Sequence, residues 1–430
     1  MPGVNRFTGR SSSFLAGTAI YLVSNVLNAA IPFILLPILT RYLSPEEYGE
    51  IAMFQTLLGA LMAFVSLSMH GAAGRKYYDS NLEEDDLRAF IGSCLQILLV
   101  TSLITLLVVF SMLGQLQVWL GLKPLWIVLA VGTTAANVIV LLRLVQWQVR
   151  KQAIKYGVLQ IGRSFLNLFL SLALVVLLMQ GAVGRISAQV WAAGGFAMLA
   201  LLLLKKDRLL YFFSWRPDFI KEILHFGVPL IPHVSGTFLL ISVDRFVINS
   251  ELGLAQTGIY MVAVQLAGAV ALAFDAVNKA YVPWLYERLK RNNGHEKRQI
   301  VRYTYIWFGV LLSGAALVFL IGPPMVVMIA GDGYSEAGKV IGWLILGQVF
   351  GGMYLMITNY IFFSKRTGLL SMVTIASGLI NVLLLVLMIP LYGIEGAAWA
   401  FCAAMALRFV FSWWVAQKRH PMPWAIFLKN

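Results

Sequence analysis

Long apolar segments recur along the whole chain, and they constrain the fold more than any other feature. A helix needs roughly 20 apolar residues to cross the hydrocarbon core of a bilayer. Segments of that length follow one another here with short linkers between them. The sequence therefore predicts an all-α integral membrane protein with about twelve transmembrane helices. The predicted spans are 14–39, 50–72, 89–113, 124–146, 158–180, 186–204, 223–248, 256–281, 303–321, 339–362, 368–389 and 396–415.

Charge is scarce, which places the chain in the membrane class. Only 12% of the 430 residues are charged, against about 25% in soluble domains, and 60% are hydrophobic. The net charge of +14 does not indicate nucleic acid, because no patch combines basic and aromatic residues. Cys94 and Cys402 lie within apolar runs, so we expect buried free thiols instead of a disulfide framework or a metal cluster.

Basic residues alternate in number between successive linkers. With the N-terminus inside, the inner linkers and termini carry 24 Lys and Arg residues. The outer linkers carry four, and this bias predicts that both termini are cytoplasmic. The apolar run from Phe14 is too long for the core of a signal peptide and is expected to be the first transmembrane helix. The outer four are Arg41, Lys123, Arg185 and Lys339.

The second half of the sequence repeats the first at an offset of about 210 residues. Asn167 matches Asn381, and Gly184 matches Gly396. Six helices in each half is an even number, so the halves have the same topology and form parallel repeats with a binding site between them. The predicted domains are an N-terminal six-helix bundle at 1–204, a cytoplasmic linker at 205–222, a C-terminal six-helix bundle at 223–415 and a cytoplasmic tail at 416–430.

Polar side chains at helical spacing mark one face of several predicted helices. One such stripe usually mediates packing between helices. Stripes on many helices favour a shared water-filled cavity. The residues selected from them as cavity candidates are Asn25 and Asn28 on the first helix, Asn167 beside Arg163 on the fifth, and His233 with Thr237 on the seventh.

Ionisable residues within or near the predicted spans indicate the charge of the substrate more directly than the polar stripes do. A charge at the bilayer centre costs roughly 2.5–3.5 kcal/mol, so a retained charge tends to face a cavity or a partner. Five bases against two acids favour an anionic substrate, since guanidinium groups bind phosphate oxygens well. Asp275 and Lys279 are four residues apart, and a local salt bridge is the simplest interpretation. The seven residues are Arg143, Arg163, Asp244, Arg245, Asp275, Lys279 and Arg408.

No catalytic motif occurs in the sequence. There is no glycine-rich phosphate loop ending in GK[ST], no HExxH and no GxSxG. The five histidines are scattered without metal-ligand spacing. The sequence thus predicts a transporter and not an enzyme, with neither metal nor cofactor.

Three segments resemble polysaccharide exporters of the multidrug/oligosaccharidyl-lipid/polysaccharide (MOP) superfamily. PFILLPILTRYLSPEEYGEIAMFQ (32–55) is similar to their first helical hairpin. VPLIPHVSGTFLLISVDRFVINSELGLAQTGIYMVAVQL (228–266) resembles their seventh and eighth helices, and YGIEGAAWA (392–400) the start of their last. The resemblance implies two six-helix bundles that form a V around a cavity.

Similarity to this family implies a flippase of the Wzx type. Such proteins move an undecaprenyl-diphosphate-linked oligosaccharide from the cytoplasmic to the periplasmic leaflet of the bacterial inner membrane, for the synthesis of O-antigen and lipopolysaccharide, capsule or exopolysaccharide. The lipid bilayer and other glycan-assembly proteins are then the expected partners. The residues that could match the family's cavity bases are Arg163, Arg245 and Lys279, followed by Arg143 and Arg408.

Two alternatives and the energy source stay open at this point. A cation-coupled drug exporter of the same superfamily should have more intramembrane carboxylates than bases, which is the opposite of the pattern here. A membrane glycan polymerase would need a catalytic surface, commonly on a large outer loop. Coupling to H⁺ or Na⁺ would fall to Asp244, Asp275 or His233.

Overall fold

The computed structural model describes residues 8–80, 83–365 and 368–425, with side chains from Ile20 onward. Helices account for almost all of these residues, and no strand occurs among them. The α-helices are α1 (Thr8–Tyr42), α2 (Pro45–Ser66), α3 (Met69–Lys76), α4 (Glu84–Ser111), α5 (Leu113–Leu120), α6 (Pro124–Val149), α7 (Ala153–Ser171), α8 (Gly181–Lys206), α9 (Pro217–Gly227), α10 (Ile231–Ile241), α11 (Asp244–Arg291), α12 (Gly294–Ala330), α13 (Ala337–Phe363) and α14 (Gly368–Arg419).

Two helical stretches are long enough to cross a membrane twice, and each is interrupted at a glycine. Gly253 in α11 has φ 83°, and Gly393 in α14 has φ 59°. Only glycine adopts these positive φ values without strain, so both positions act as hairpin turns. Within the described residues ten helical stretches are long and apolar enough to span a membrane. Division of 217–291 and 368–419 at the two glycines gives twelve passes, which confirms the predicted number.

Proline interrupts the predicted seventh span, 223–248. α9 passes into a 3₁₀ turn at Val228–Leu230 before α10 begins at Ile231. Pro229 lies in that turn and Pro232 in the first turn of α10, where a missing backbone N–H is tolerated. This span is therefore a series of short helical pieces.

Large apolar side chains are exposed along the long helices. Leu107, Phe169, Leu320 and Leu383 are all more than half exposed. An exposed apolar surface of this extent needs an apolar solvent, and the internally hydrogen-bonded helices satisfy the backbone there. The chain is a multi-pass membrane protein.

The first compact unit, unit 1, contains the residues up to Leu35 and Met53–Ile231. Its core lies where α6, α7 and α8 pack through Val140, Leu159 and Ala200. The linker between α8 and α9 is anchored to this unit, because Gln96 on α4 donates a hydrogen bond of 2.5 Å to the carbonyl oxygen of Phe212.

The second compact unit, unit 2, contains Leu36–Ala52 and the chain from Pro232 onward. Its core lies among α11, α12, α13 and α14 and includes Phe308, Ile357 and Phe409. The chain beyond α14 also packs there, since Tyr305 donates a hydrogen bond of 2.9 Å to the carbonyl oxygen of Trp424. These two groupings place 217–231 with unit 1 and 36–52 with unit 2, whereas the domain boundaries at 204 and 223 stay predictions from the repeat.

The matched glycines of the repeat have the same structural role in each unit. A Cβ atom at Gly184 would lie 3.0 Å from the carbonyl oxygen of Leu174, and one at Gly396 would overlap that of Met388. Each glycine thus permits a helix to start directly against the backbone of the preceding span.

A very close helix crossing in unit 2 joins the start of α2 to α11. A Cβ atom at Gly258 would overlap the carbonyl oxygen of Pro45, and one at Gly49 would overlap that of Leu254. The two backbones are in contact here, and only glycine leaves room for this approach.

We expect Gly258→Ala to destabilise unit 2 by about 1–3 kcal/mol, because the added methyl group must push α2 away from α11. Thermal unfolding in detergent measures the effect as a lower midpoint. Gly268→Ala is the matched control on the same helix, since nothing lies within 4 Å of its Cβ position. Equal midpoints for the two variants would contradict the proposed crossing.

Candidate functional site

Unit 1 encloses a polar cavity of about 360 Å³, which we call the unit 1 cavity. Five helices contribute to it, namely α1, α2, α6, α7 and α8. Its polar lining residues are Asn28, Gln55, Thr133, Asn137, Gln160, Arg163, Ser164, Asn167, Arg185 and Gln189. Three of the predicted site residues, Asn28, Arg163 and Asn167, are thus brought together in one place.

Arg163 projects from the polar face of α7. Gln160, Arg163 and Asn167 recur at helical spacing on this amphipathic helix, so all three reach the same cavity. The Arg163 guanidinium donates a hydrogen bond of 2.5 Å to Oδ1 of Asn137 on α6. No salt bridge of Arg163 occurs among the described residues.

Arg185 is a second arginine of the unit 1 cavity, although apolar length predicts it in an outer linker. α8 begins at Gly181, five residues before the predicted start at 186, so Arg185 lies inside the helix. Its side chain is buried, and Nη1 donates hydrogen bonds of 2.8 Å to Oδ1 of Asn167 and to Oγ of Ser171. The one-turn spacing of Arg185 and Gln189 was the signal that could have revealed this polar face.

The polar stripes of α1 and α7 face each other. Ser164 donates a hydrogen bond to Oδ1 of Asn28. One turn away, Gln160 Nε2 donates to Oδ1 of Asn25 at 3.1 Å. Asn25 is exposed and does not line the cavity, so it extends the polar face of α1 beyond the enclosed space.

The charge of the unit 1 cavity is positive. Two arginines line it, and no Asp or Glu is among the described lining residues. The amide oxygen of Asn137 satisfies an N–H group of Arg163 without cancelling its charge. Arg185 donates to amide and hydroxyl oxygens at the same cavity. A cavity of this composition attracts a multivalent anion and can also bind hydroxyl groups.

Arg143 lies outside the unit 1 cavity, and its contacts stabilise the packing of unit 1. Its side chain is only 1% exposed, pairs with Asp207 beyond the end of α8, and stacks on Trp147 with Cζ 4.1 Å from the ring centroid. Partial burial alone would raise the pKa of Asp207, but the hydrogen bond and charge of Arg143 outweigh it and hold that pKa below its usual value. The pair ties α6 to the end of α8.

Asp244 and Arg245 form a closed network in unit 2. Both side chains are buried, and Asp244 Oδ1 lies 3.2 Å from Nη1 of Arg245. Tyr260 donates to Asp244 Oδ2 at 2.9 Å, and Arg245 donates to the carbonyl oxygen of Ile241 at 2.5 Å. This network fastens the two sides of the hairpin at Gly253. A substrate role for Arg245 and a coupling role for Asp244 stay predictions.

The other candidates of unit 2 are dispersed. Lys279 and Asp275 form the predicted salt bridge at 2.5 Å, with Lys279 63% exposed. Arg408 donates to the hydroxyl oxygen of Tyr354 at 3.0 Å and stacks on its ring. His233 is exposed on α10, and its carbonyl oxygen accepts a hydrogen bond from Thr237. Neither the cavity at Phe274 nor the one at Gln256, both in unit 2, has Lys279, Arg408 or His233 among its described lining residues.

Comparison with known proteins supports the resemblance seen in the sequence. Residues 14–289 match the family model described as polysaccharide biosynthesis protein. Lsg locus putative protein 1 of Haemophilus influenzae is 27% identical over 398 residues, which cover 88% of this chain and 94% of that protein. An uncharacterized membrane protein of the same organism is 25% identical and covers 86% of this chain and 88% of its own length.

Two solved structures share the fold. The lipid II flippase MurJ in an inward closed conformation has a TM-score of 0.73 at 13% identity and covers 94% of this chain and 87% of its own. An inward-facing multidrug resistance MATE family transporter of the MOP superfamily has a TM-score of 0.69 at 16% identity and covers 93% and 98%. These matches confirm the predicted fold class.

We expect Asp207→Asn to lower the free energy of unfolding by about 3 kcal/mol, because it leaves the buried charge of Arg143 without its partner. The folded-state pKa of Asp207 is depressed, so its contribution is present above the unfolded-state pKa and is lost as pH falls through the folded-state pKa. Thermal unfolding as a function of pH should therefore show a steeper acid loss for the wild type than for Asp207→Asn.

The matched control is Asp218→Asn, which changes an exposed carboxylate on α9 of the same unit. It should lower the midpoint much less than Asp207→Asn, because it removes only the interaction of an exposed carboxylate with the N-terminus of α9, about 0.3–1 kcal/mol. Identical pH profiles for wild type and Asp207→Asn would show that the ion pair does not stabilise the fold.

Proposed function

Because the chain belongs to the polysaccharide biosynthesis protein family, we propose that it is a flippase for lipid-linked oligosaccharides. The proposed substrate is an undecaprenyl-diphosphate-linked glycan unit, moved from the cytoplasmic to the periplasmic leaflet by alternating access. The proposed location is a bacterial inner membrane with both termini in the cytoplasm, as the distribution of basic residues predicts.

The unit 1 cavity is the observation that carries the proposal. A diphosphate presents several negatively charged oxygens, and guanidinium groups are suited to bind them bidentately. Arg163 and Arg185 supply two such groups, and the surrounding amides of Asn28, Asn137 and Asn167 can exchange hydrogen bonds with sugar hydroxyls. The same residues would hold the head group while the polyprenyl chain stays in the bilayer.

The internal repeat indicates that these arginines are not needed by the scaffold. At the offset that relates Asn167 to Asn381, Arg163 corresponds to Ser377. At the offset that relates Gly184 to Gly396, Arg185 corresponds to Ala397. The second half of the repeat thus has neutral residues at the positions of both arginines.

The cavity composition also separates this proposal from drug export. An exporter of cationic drugs needs carboxylates in its binding cavity to attract the cation and exchange it for a coupling ion. The described lining of the unit 1 cavity contains two arginines and no carboxylate. The membrane potential favours the proposed direction, since outward movement of one negative charge gains roughly 2.3 kcal/mol per 100 mV.

We expect Arg163→Gln and Arg185→Gln each to slow flipping at least tenfold, because loss of a charge-assisted contact to phosphate costs about 1.5–3 kcal/mol. The assay follows a fluorescent polyprenyl-diphosphate-linked N-acetylglucosamine across liposome membranes that contain the purified protein. Arg163→Lys should retain part of the rate, since it preserves the charge but not the bidentate geometry.

Arg88→Gln is the control, because this arginine of unit 1 pairs with Glu84 and Asp85 at the start of α4, outside the unit 1 cavity. Its flipping rate should equal that of the wild type. If Arg163→Gln and Arg185→Gln fold normally and also flip at the wild-type rate, the cavity is not the diphosphate site.

A further inference from the structure

Unit 2 contains a cavity with a different chemistry, lined mainly by aromatic rings. It has a volume of about 300 Å³, at the lower end of the roughly 300–1,000 Å³ of small-molecule sites. Three helices, α11, α12 and α13, form it. We call it the aromatic pocket, and its lining residues are Phe274, Val277, Asn278, Tyr281, Trp284, Tyr303, Thr304, Trp307, Gly352 and Met356.

Three aromatic rings of this pocket, those of Phe274, Tyr281 and Trp284, are held in place by packing. Phe274 lies against Gly352, where any Cβ atom would overlap the ring. Tyr281 and Trp284 are 5.5 Å apart with their planes tilted by 31°, and Arg288 stacks on Trp284 with Cζ 4.0 Å from the centroid. Fixed ring faces are a preorganised surface, which lowers the entropic cost of binding.

The polar residues that line the aromatic pocket are uncharged. Asn278 accepts a hydrogen bond of 2.8 Å from Nδ2 of Asn359, which fixes its amide. Within the described part of the chain its own amide nitrogen has no protein partner, and the same holds for the indole nitrogens of Trp284 and Trp307. No Asp, Glu, Lys or Arg is among the described lining residues. The pocket suits a neutral ligand with hydrogen-bond acceptors.

A groove in unit 1 is lined by aliphatic side chains and differs in this respect from the aromatic pocket. It lies between α1 and α7 of unit 1, has a volume of about 400 Å³, and is lined by Ile20, Val23, Ile154, Val158 and Ile161 with Ser24 and Gly157. Branched aliphatic side chains pack well against a hydrocarbon chain. The aromatic pocket instead combines flat ring faces with N–H donors, which an isoprenoid cannot use.

We propose that the aromatic pocket binds a pyranose ring of the lipid-linked glycan, an inference that rests on the proposed function. The C–H groups on one face of a pyranose carry partial positive charge and meet the negative face of an aromatic ring. The ring hydroxyl oxygens accept hydrogen bonds from Asn278 and from the indole nitrogens. The pocket is thus a sugar-selective site, distinct in chemistry from the cationic cavity of unit 1.

Equilibrium binding to the full-length protein in lipid nanodiscs tests this inference. The two probes are undecaprenyl diphosphate and undecaprenyl-diphosphate-linked N-acetylglucosamine. The wild type should bind the sugar-bearing lipid about tenfold more tightly. Trp307→Leu and Asn278→Leu should each remove about three- to tenfold of that advantage and leave the affinity for undecaprenyl diphosphate unchanged.

Trp414→Leu is the matched control, because this tryptophan is exposed on α14 of the same unit and lies outside the pocket. It should preserve both affinities.

If undecaprenyl diphosphate binds and the sugar adds nothing to the affinity of the wild type, the sugar site is wrong while the proposed function stands. If Trp307→Leu weakens both lipids equally, the pocket holds the polyprenyl chain and the inference is overturned. If neither lipid binds, the proposed function fails as well.

Discussion

A buried guanidinium group needs hydrogen-bond partners, and the chemistry of those partners decides whether its charge remains available. Arg143 pairs with Asp207 and Arg245 with Asp244, so in both cases a carboxylate cancels the charge and the pair fastens two segments. Arg163 and Arg185 donate hydrogen bonds to amide and hydroxyl oxygens at the unit 1 cavity. The amide partner of Arg163 satisfies an N–H group and leaves the positive charge of this arginine directed at the cavity.

The repeat shows how this difference arises within one fold. Asn167 accepts a hydrogen bond from Arg185 in unit 1, whereas its counterpart Asn381 donates to the backbone carbonyl of Leu239 in unit 2. The asparagine at this repeat position thus holds an arginine in unit 1, whereas in unit 2 it bonds to the backbone of a neighbouring helix. The glycine contacts at Gly184 and Gly396 are retained in both halves, because they are required by the scaffold.

The sequence was sufficient for the parts of the structure that depend on periodicity. Twelve passes follow from apolar length, and the placement of Asn28, Arg163 and Asn167 follows from the polar side chains at helical spacing on α1 and α7. The position of Arg185 in the cavity could not be predicted, because it depends on where α8 begins. Apolar length alone fixes the start of a helix only to within several residues. The Arg143–Asp207 pair and the aromatic pocket could not be predicted for another reason. Their members come from helices far apart in sequence, and only the packing of those helices brings them together.

The central claim is that the unit 1 cavity binds the diphosphate of a lipid-linked glycan. Electron cryomicroscopy of the protein in nanodiscs with undecaprenyl diphosphate tests it most directly, because phosphorus scatters strongly and the head group is compact. We expect diphosphate density within hydrogen-bonding distance of the guanidinium groups of Arg163 and Arg185. Density beside Lys279 or Arg408, with the unit 1 cavity empty, would contradict it.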